Sequence, residues 1–309
     1  MSTLMRVLLA LHLETVGRSD EARAELNEAH ERDPTSPLPV FQLGILHAYG
    51  YNRFGPAIAF GEQAVASNRI RPVYREILAR MYLDLGQYER AEEVLDAAGT
   101  EKSGAVTRMY LYLYRAESEK VRSSALGVIE AHGRDWQSTD RLRVAALAAN
   151  DPRSARLLYE RGFPELLAAP PAIDATNYDA AIDLALVLQK TGEAELAVEL
   201  LRRAEVWVLA HPRLGMRGHG IADARIRMLL GDQSEALALL LQAQQSGWRG
   251  PLWRYYRDFD PVLAPVRNDP EFKAVFAAIE RDMARQRAAL ASQPPNVPAP
   301  PVDAPTTGQ

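Results

Sequence analysis

The 309-residue sequence predicts an all-α fold, a solenoid of stacked helical hairpins, on three observations. First, an alanine is followed four and seven residues later by residues on the same helical face: Ala22/Leu26/Ala29, Ala57/Gly61/Ala64, Ala91/Leu95/Ala98, Ala197/Leu201/Ala204 and Ala236/Leu240/Ala243. Second, in four of these five sets a glycine stands five residues before the first alanine: Gly17, Gly86, Gly192 and Gly231. Third, the sets recur with a period, 35 residues from Ala22 to Ala57 and 34 from there to Ala91. The glycine ends a helix A where left-handed backbone is needed. The small residue five positions on lets helix B approach helix A closely. Such a hairpin cannot bury its apolar stripe alone, so neighbours must stack.

Taken in order, unit one shows Leu9-Ala10, Leu13, Gly17, Ala22, Leu26, Ala29 and Pro34. Unit two carries Leu43-Gly44 and one extra residue in its turn at 49–55. Unit three has Leu78-Ala79, Tyr82, Gly86, Tyr88, Ala91, Leu95 and Ala98. The stretch 105–175 is degenerate. Ala125 lies 34 residues after Ala91, with Ile129 and His132 following, but Lys120 occupies the place of the turn glycine. Ala155, Tyr159 and Gly162 mark a further hairpin after the turn Asn150-Asp151-Pro152, and a proline-containing connection follows at 164–174. Unit six has Leu184-Ala185, Leu188, Gly192, Ala197, Leu201 and Ala204, and unit seven has Ala224, Gly231, Ala236 and Ala243 with a charged Arg227.

In register, these positions resemble the tetratricopeptide repeat over residues 1–246. The resemblance implies a right-handed superhelix of about seven hairpins, with helices A lining a concave groove, helices B forming the outer wall, and a protein or peptide as partner. Aligning the units places Phe41 and Ile45, Glu76 and Arg80, and Tyr110 and Tyr114 on that groove. Tyrosine and arginine are favoured at binding hot spots; the competing reading makes the tyrosines packing residues. The Lys and Asn set with which some arrays of this family clamp a peptide carboxylate is missing.

Residues 247–291 read as a C-terminal capping segment and helix. Asp260-Pro261 and Asp269-Pro270 each have the form of a helix start, with Asp as cap and Pro in the first turn. The second opens a helix to about Ala291, with Phe272, Val275, Phe276, Ile279 and Met283 on one face and Lys273, Glu280, Arg281 and Arg285 on the other. The stretch 260–272 resembles the ending of bacterial tetratricopeptide proteins whose repeats follow an N-terminal effector: a winged-helix DNA-binding domain, a nucleotide cyclase or a kinase. Met1 already stands at the start of the first helix A. This leaves two readings, the interaction region of a larger signalling protein and a free-standing assembly adaptor. The proline-rich tail 292–309 has too little apolar surface to fold and is expected to be disordered.

Composition narrows the function classes. A net charge of −4 gives no basic footprint for direct nucleic-acid binding, and the absence of cysteine removes disulfides, thiolate metal sites and a thiol nucleophile. No run approaches a membrane span, and the short apolar run at 7–11 reads as part of helix A rather than as a leader. The six histidines show no metal-binding spacing, and the segment 215–220, though glycine-rich, lacks the Lys-Ser/Thr of a phosphate loop. The sequence therefore predicts a non-enzyme without cofactor or metal, of open oligomeric state, in the cytoplasm, or in the periplasm if it belongs to a membrane-anchored regulator. An enzyme with a site near 164–180 is the remaining rival.

Overall fold

The computed structural model describes residues 1–67, 71–97, 104–131 and 138–292; Ala98, His132 and residues 293–309 of the tail lie outside them. The described chain is helical, without strands. Seven hairpins follow in order: Thr3–Thr15 (α1) with Ser19–Arg32 (α2), Pro37–Ile45 (α3) with Phe54–Ser67 (α4), Pro72–Leu85 (α5) with Tyr88–Asp96 (α6), and Ala105–Tyr114 (α7) with Ser118–Ala131 (α8). Then come Ser138–Ala149 (α9) with Pro152–Gly162 (α10), Tyr178–Thr191 (α11) with Ala194–Leu209 (α12), and Ala222–Leu229 (α13) with Gln233–Gln245 (α14). Trp253–Asp258 (α15) and Pro270–Ala291 (α16) complete the chain. The small-residue sets lie at helix crossings, and their described members are buried.

One local device builds every turn. A residue with positive φ stands between helices A and B of all seven hairpins: Gly17, Asn52, Gly86, Ala116, Asn150, Gly192 and Gly231. At Gly86 the N–H of Gln87 reaches back to the Tyr82 carbonyl at 2.9 Å, closing the last turn of α5. The same bond joins Glu117 to Tyr112 at 2.9 Å. The fourth turn is therefore at Ala116, not Lys120, and Val121, buried and bonded through its N–H to the Glu117 carbonyl at 3.1 Å, takes the place expected for Ala125. The extra residue of unit two is absorbed in a π-helical turn, Leu46–Gly50, that extends α3. Ala116 holds φ at +58°, where a Cβ is disfavoured. Ala116→Gly should therefore raise stability by about 0.5–1 kcal/mol. A urea midpoint that is unchanged or lower would show that this turn is unstrained.

α16 starts where its sequence indicates. Asp269 accepts the Glu271 N–H at 2.8 Å, and Phe272, Val275, Phe276, Ile279 and Met283 are buried. Asp260 caps too, accepting the Val262 N–H at 3.0 Å, but only a short 3₁₀ turn, Ala264–Val266, follows it. α16 packs on α14, as an end cap does, and also reaches α4 and α5. Asn52 Nδ2 donates to Asp282 at 2.9 Å, the Phe54 N–H to Gln286 at 2.8 Å, and Arg287 to the Leu85 carbonyl at 2.6 Å. The loop before α13 touches the first hairpins as well: the Gly215 N–H donates to the Tyr49 carbonyl at 2.9 Å, and Gly17 lies against Pro212. The array thus closes on itself.

Candidate functional site: the concave face

Closure decides the state of the groove. The segment 250–260, including α15, lies against the C-terminal ends of α5 and α7. The Leu252 N–H donates to Asp84 Oδ1 at 2.7 Å, Trp253 Nε1 and Arg254 Nη1 donate to the Asp84 carbonyl at 2.9 and 2.8 Å, and the Tyr255 N–H donates to the Tyr114 hydroxyl at 3.2 Å. The expected exposure of Tyr110 is not found. It is fully buried, its ring edge-on to Tyr255 at 5.8 Å and its hydroxyl donating to Asp140 at 3.2 Å. Tyr114, partly covered, stacks on Phe259 with centroids 6.0 Å apart. Arg80 is buried and pairs with Asp140 at 3.1 Å, and Glu76 accepts from Thr107 at 3.4 Å. Phe41 is buried with its ring centroid 4.3 Å from that of Tyr74, and Ile45 is buried in the apolar core. Tyr110 and Tyr114 thus meet the chain's own C-terminal segment, Glu76 and Arg80 are buried in polar pairs with neighbouring helices A, and Phe41 and Ile45 belong to the packing of the early hairpins.

From Arg80 the polar core continues through later helices A. Arg143 of α9 reaches Asp140 at 3.5 Å, Asp179 at 2.6 Å and Asp183 at 2.9 Å. Arg225 of α13 is fully buried and reaches Asp179 at 2.5 Å, Asp183, and Asp260 at 2.8 Å. Both guanidinium groups lie over Tyr256, at 5.8 and 5.6 Å. Burial raises the Asp179 pKa, but Arg143 and Arg225 outweigh it and hold this carboxyl below its ordinary range. Asp183 goes the other way: burial pushes it up, and repulsion from Asp179 and Asp260 adds to the effect of burial against the same two arginines.

Asp84, Asp140, Arg143, Asp179, Asp183 and Arg225 carry the inner face without having been singled out from sequence, and Asp260 was read there only as a helix cap. A signal was present. Arg225 stands six residues before its turn residue, Gly231, as Arg80 does before Gly86 and Tyr110 before Ala116. The segment 215–220 is a turn, as its sequence indicates: the N–H groups of Gly218, His219 and Gly220 donate to the carbonyls of Gly215, Pro212 and Arg213. A cavity of about 150 Å³ remains between this turn, the loop at 248–252 and Arg80, Asp140, Arg143 and Asp179. Among the described residues no group of three or more His, Asp or Glu is placed to hold a metal, and no helix is long and apolar enough to cross a membrane.

Asp84 makes this closure pH-dependent. Burial pushes its pKa up to about 7, against the bond from Leu252 and the charge of Arg80. A carboxyl raised in the fold stabilises it below the unfolded pKa of about 4 and loses that contribution as pH rises to about 7. Asp84→Asn keeps an acceptor for Leu252 and a partner for the Tyr49 hydroxyl, which lies 3.1 Å from Asp84 Oδ2. Relative to wild type, the variant should gain up to about 3–4 kcal/mol between pH 4 and pH 8. Denaturant unfolding of both proteins at the two pH values measures this, and a constant difference would remove Asp84 as the titrating group.

The tetratricopeptide repeat model matches residues 5–28, 72–97 and 179–203, which fall in the first, third and sixth hairpins. No curated protein matches the chain. Among solved structures, a tetratricopeptide repeat protein from Parabacteroides merdae ATCC 43184 is 13% identical, with a TM-score of 0.45, covering 90% of this chain and 98% of that one. With these three matched segments lying on helical hairpins, the architecture is an all-α helical-repeat solenoid of the tetratricopeptide type.

Proposed function

We propose that the chain is a non-catalytic protein- or peptide-binding scaffold, the interaction region of a cytoplasmic bacterial signalling or regulatory protein. One observation carries the binding half of this reading: the concave face already grips polypeptide. Asp84 and Tyr114 on helices A accept main-chain N–H groups of Leu252 and Tyr255, the way a groove holds a peptide in trans. A partner reaching Tyr110 and Tyr114 would have to take the place of residues 250–260. The signalling role is supported by the sequence resemblance of 260–272 to the endings of effector-linked repeat proteins.

Affinity capture from the source cells, with cross-linking mass spectrometry on the captured complex, tests this. A stoichiometric protein partner cross-linked along helices A or the segment 250–260 is the expected result. Recovery without any stoichiometric protein, but with a tightly held small molecule, would overturn it in favour of an enzyme or ligand-binding protein.

A further inference from the structure

The cavity at the closing seam is walled by groups whose charges are paired but whose hydrogen-bonding capacity is partly unused. Arg80 pairs with Asp140, Arg143 with Asp179 and Asp183, and Arg213 with Asp223. Asp140 and Asp179, the two carboxyls of the wall, are therefore both held by arginine. An ion entering here would lose its water without meeting a free counter-charge, which is strongly unfavourable.

Three other side chains of the same wall keep open capacity. Trp248 is 4% exposed and donates to no described residue. Its Nε1 stands between two glycines of the wall: a Cβ at Gly220 would lie 3.0 Å from it and one at Gly250 2.2 Å. Tyr256 is edge-on to Trp248 at 5.9 Å, with Arg143 and Arg225 over its ring, and its hydroxyl has no partner among the described residues. His219 Nδ1 is buried without a partner, 4.0 Å from Asp223. Burial outweighs Asp223 and pushes the pKa of this imidazole down to about 4, so it is neutral near pH 7 and brings one donor and one acceptor. An indole N–H can only donate, so the open capacity calls chiefly for acceptors.

We propose that this cavity binds a small uncharged carbonyl compound of the amide or urea type. Carbonyl oxygen accepts from Trp248 Nε1 and the Tyr256 hydroxyl, and the N–H of the compound pairs with His219. A volume of about 150 Å³ suits roughly six to ten non-hydrogen atoms, since an apolar cavity of about that size takes benzene. An occupant touches the turn 215–220, the loop 248–252 and helices α9 and α11 together, so binding favours the closed array. This adds a small effector to the protein-binding reading and does not rest on it: a captured protein partner leaves it standing.

Isothermal titration calorimetry of the full chain with uracil, 2-pyrrolidinone and methylurea tests the proposal, with acetate and methylammonium as charged controls. Saturable binding of at least one uncharged compound is expected, with a dissociation constant between about 10 µM and about 1 mM, as ligands of this size allow. Tyr256→Phe removes only the hydroxyl and should weaken that binding about tenfold. The melting temperature of the free variant should stay that of wild type, because the hydroxyl has no partner to lose. Trp248→Phe should weaken binding to a similar degree, and filling the wild-type cavity should slow hydrogen exchange in residues 248–256. Heats no greater than dilution for all three uncharged compounds would leave the cavity to water and overturn the proposal. Tighter binding of acetate or methylammonium would do the same, as would binding of an uncharged compound that both variants leave intact.

Discussion

Arg225→Ala should lower stability by about 3–5 kcal/mol, because removing one partner strands buried charge. Arg225 is fully buried and is the cation shared by Asp179, Asp183 and Asp260, which come from α11 and from the segment after α15. Without it, Arg143 alone faces Asp179 and Asp183, and Asp260 loses its ion-pair partner. The loss should shrink as pH falls, since protonating the stranded carboxyls removes their charge. Equilibrium denaturation at pH 7 and pH 5 measures both effects. Arg203, paired with Glu199 at 2.6 Å on the exposed face of α12, is the control, and its alanine variant should change stability by less than about 0.5 kcal/mol. Equal losses at the two arginines would mean that the inner network is hydrated and contributes little.

Trp253→Ala should cost about 3–5 kcal/mol as a large-to-small change in a packed core. Trp253 has no exposed surface, donates to the Asp84 carbonyl at 2.9 Å, and lies under the Arg254 guanidinium 4.2 Å from its ring centroid. The expected signature is regional as well as global. Hydrogen exchange should accelerate in residues 250–260 and at the ends of α5 and α7, which this segment covers, more than in α11 and α12. Uniform acceleration across all hairpins would show instead that the segment is an inseparable part of one cooperative core.

Tyr110 explains why part of this site was hidden from sequence reading. Residues 108–115 hold three tyrosines and two arginines on and just past a helix A, which reads as a binding groove. The same polar aromatics serve equally well in a core that supplies hydroxyl acceptors and carboxylate partners, and composition cannot separate the two. Tyr110 finds Asp140 30 residues on, Tyr114 finds the Tyr255 N–H 141 residues on, and Asn52 finds Asp282 230 residues on. The last two separations lie far outside the repeat period.

By itself, the sequence determined whatever depends on neighbours within one hairpin: the 0, 4, 7 spacing of small residues, the left-handed turn at Gly17, Gly86, Gly192 and Gly231, and the capped, one-sided helix α16. Those features follow from backbone sterics and helical geometry, which act over a few residues. Even the degenerate middle keeps the device, with Ala116 and Asn150 in the glycine's place. Only the tertiary structure decided that the array closes, that residues 250–260 fill the concave face, and that Arg143 and Arg225 are interior. The reason is electrostatic. A charged side chain on a helix is at home in solvent or in a buried pair, and the choice depends on whether an opposite charge from a distant hairpin arrives beside it.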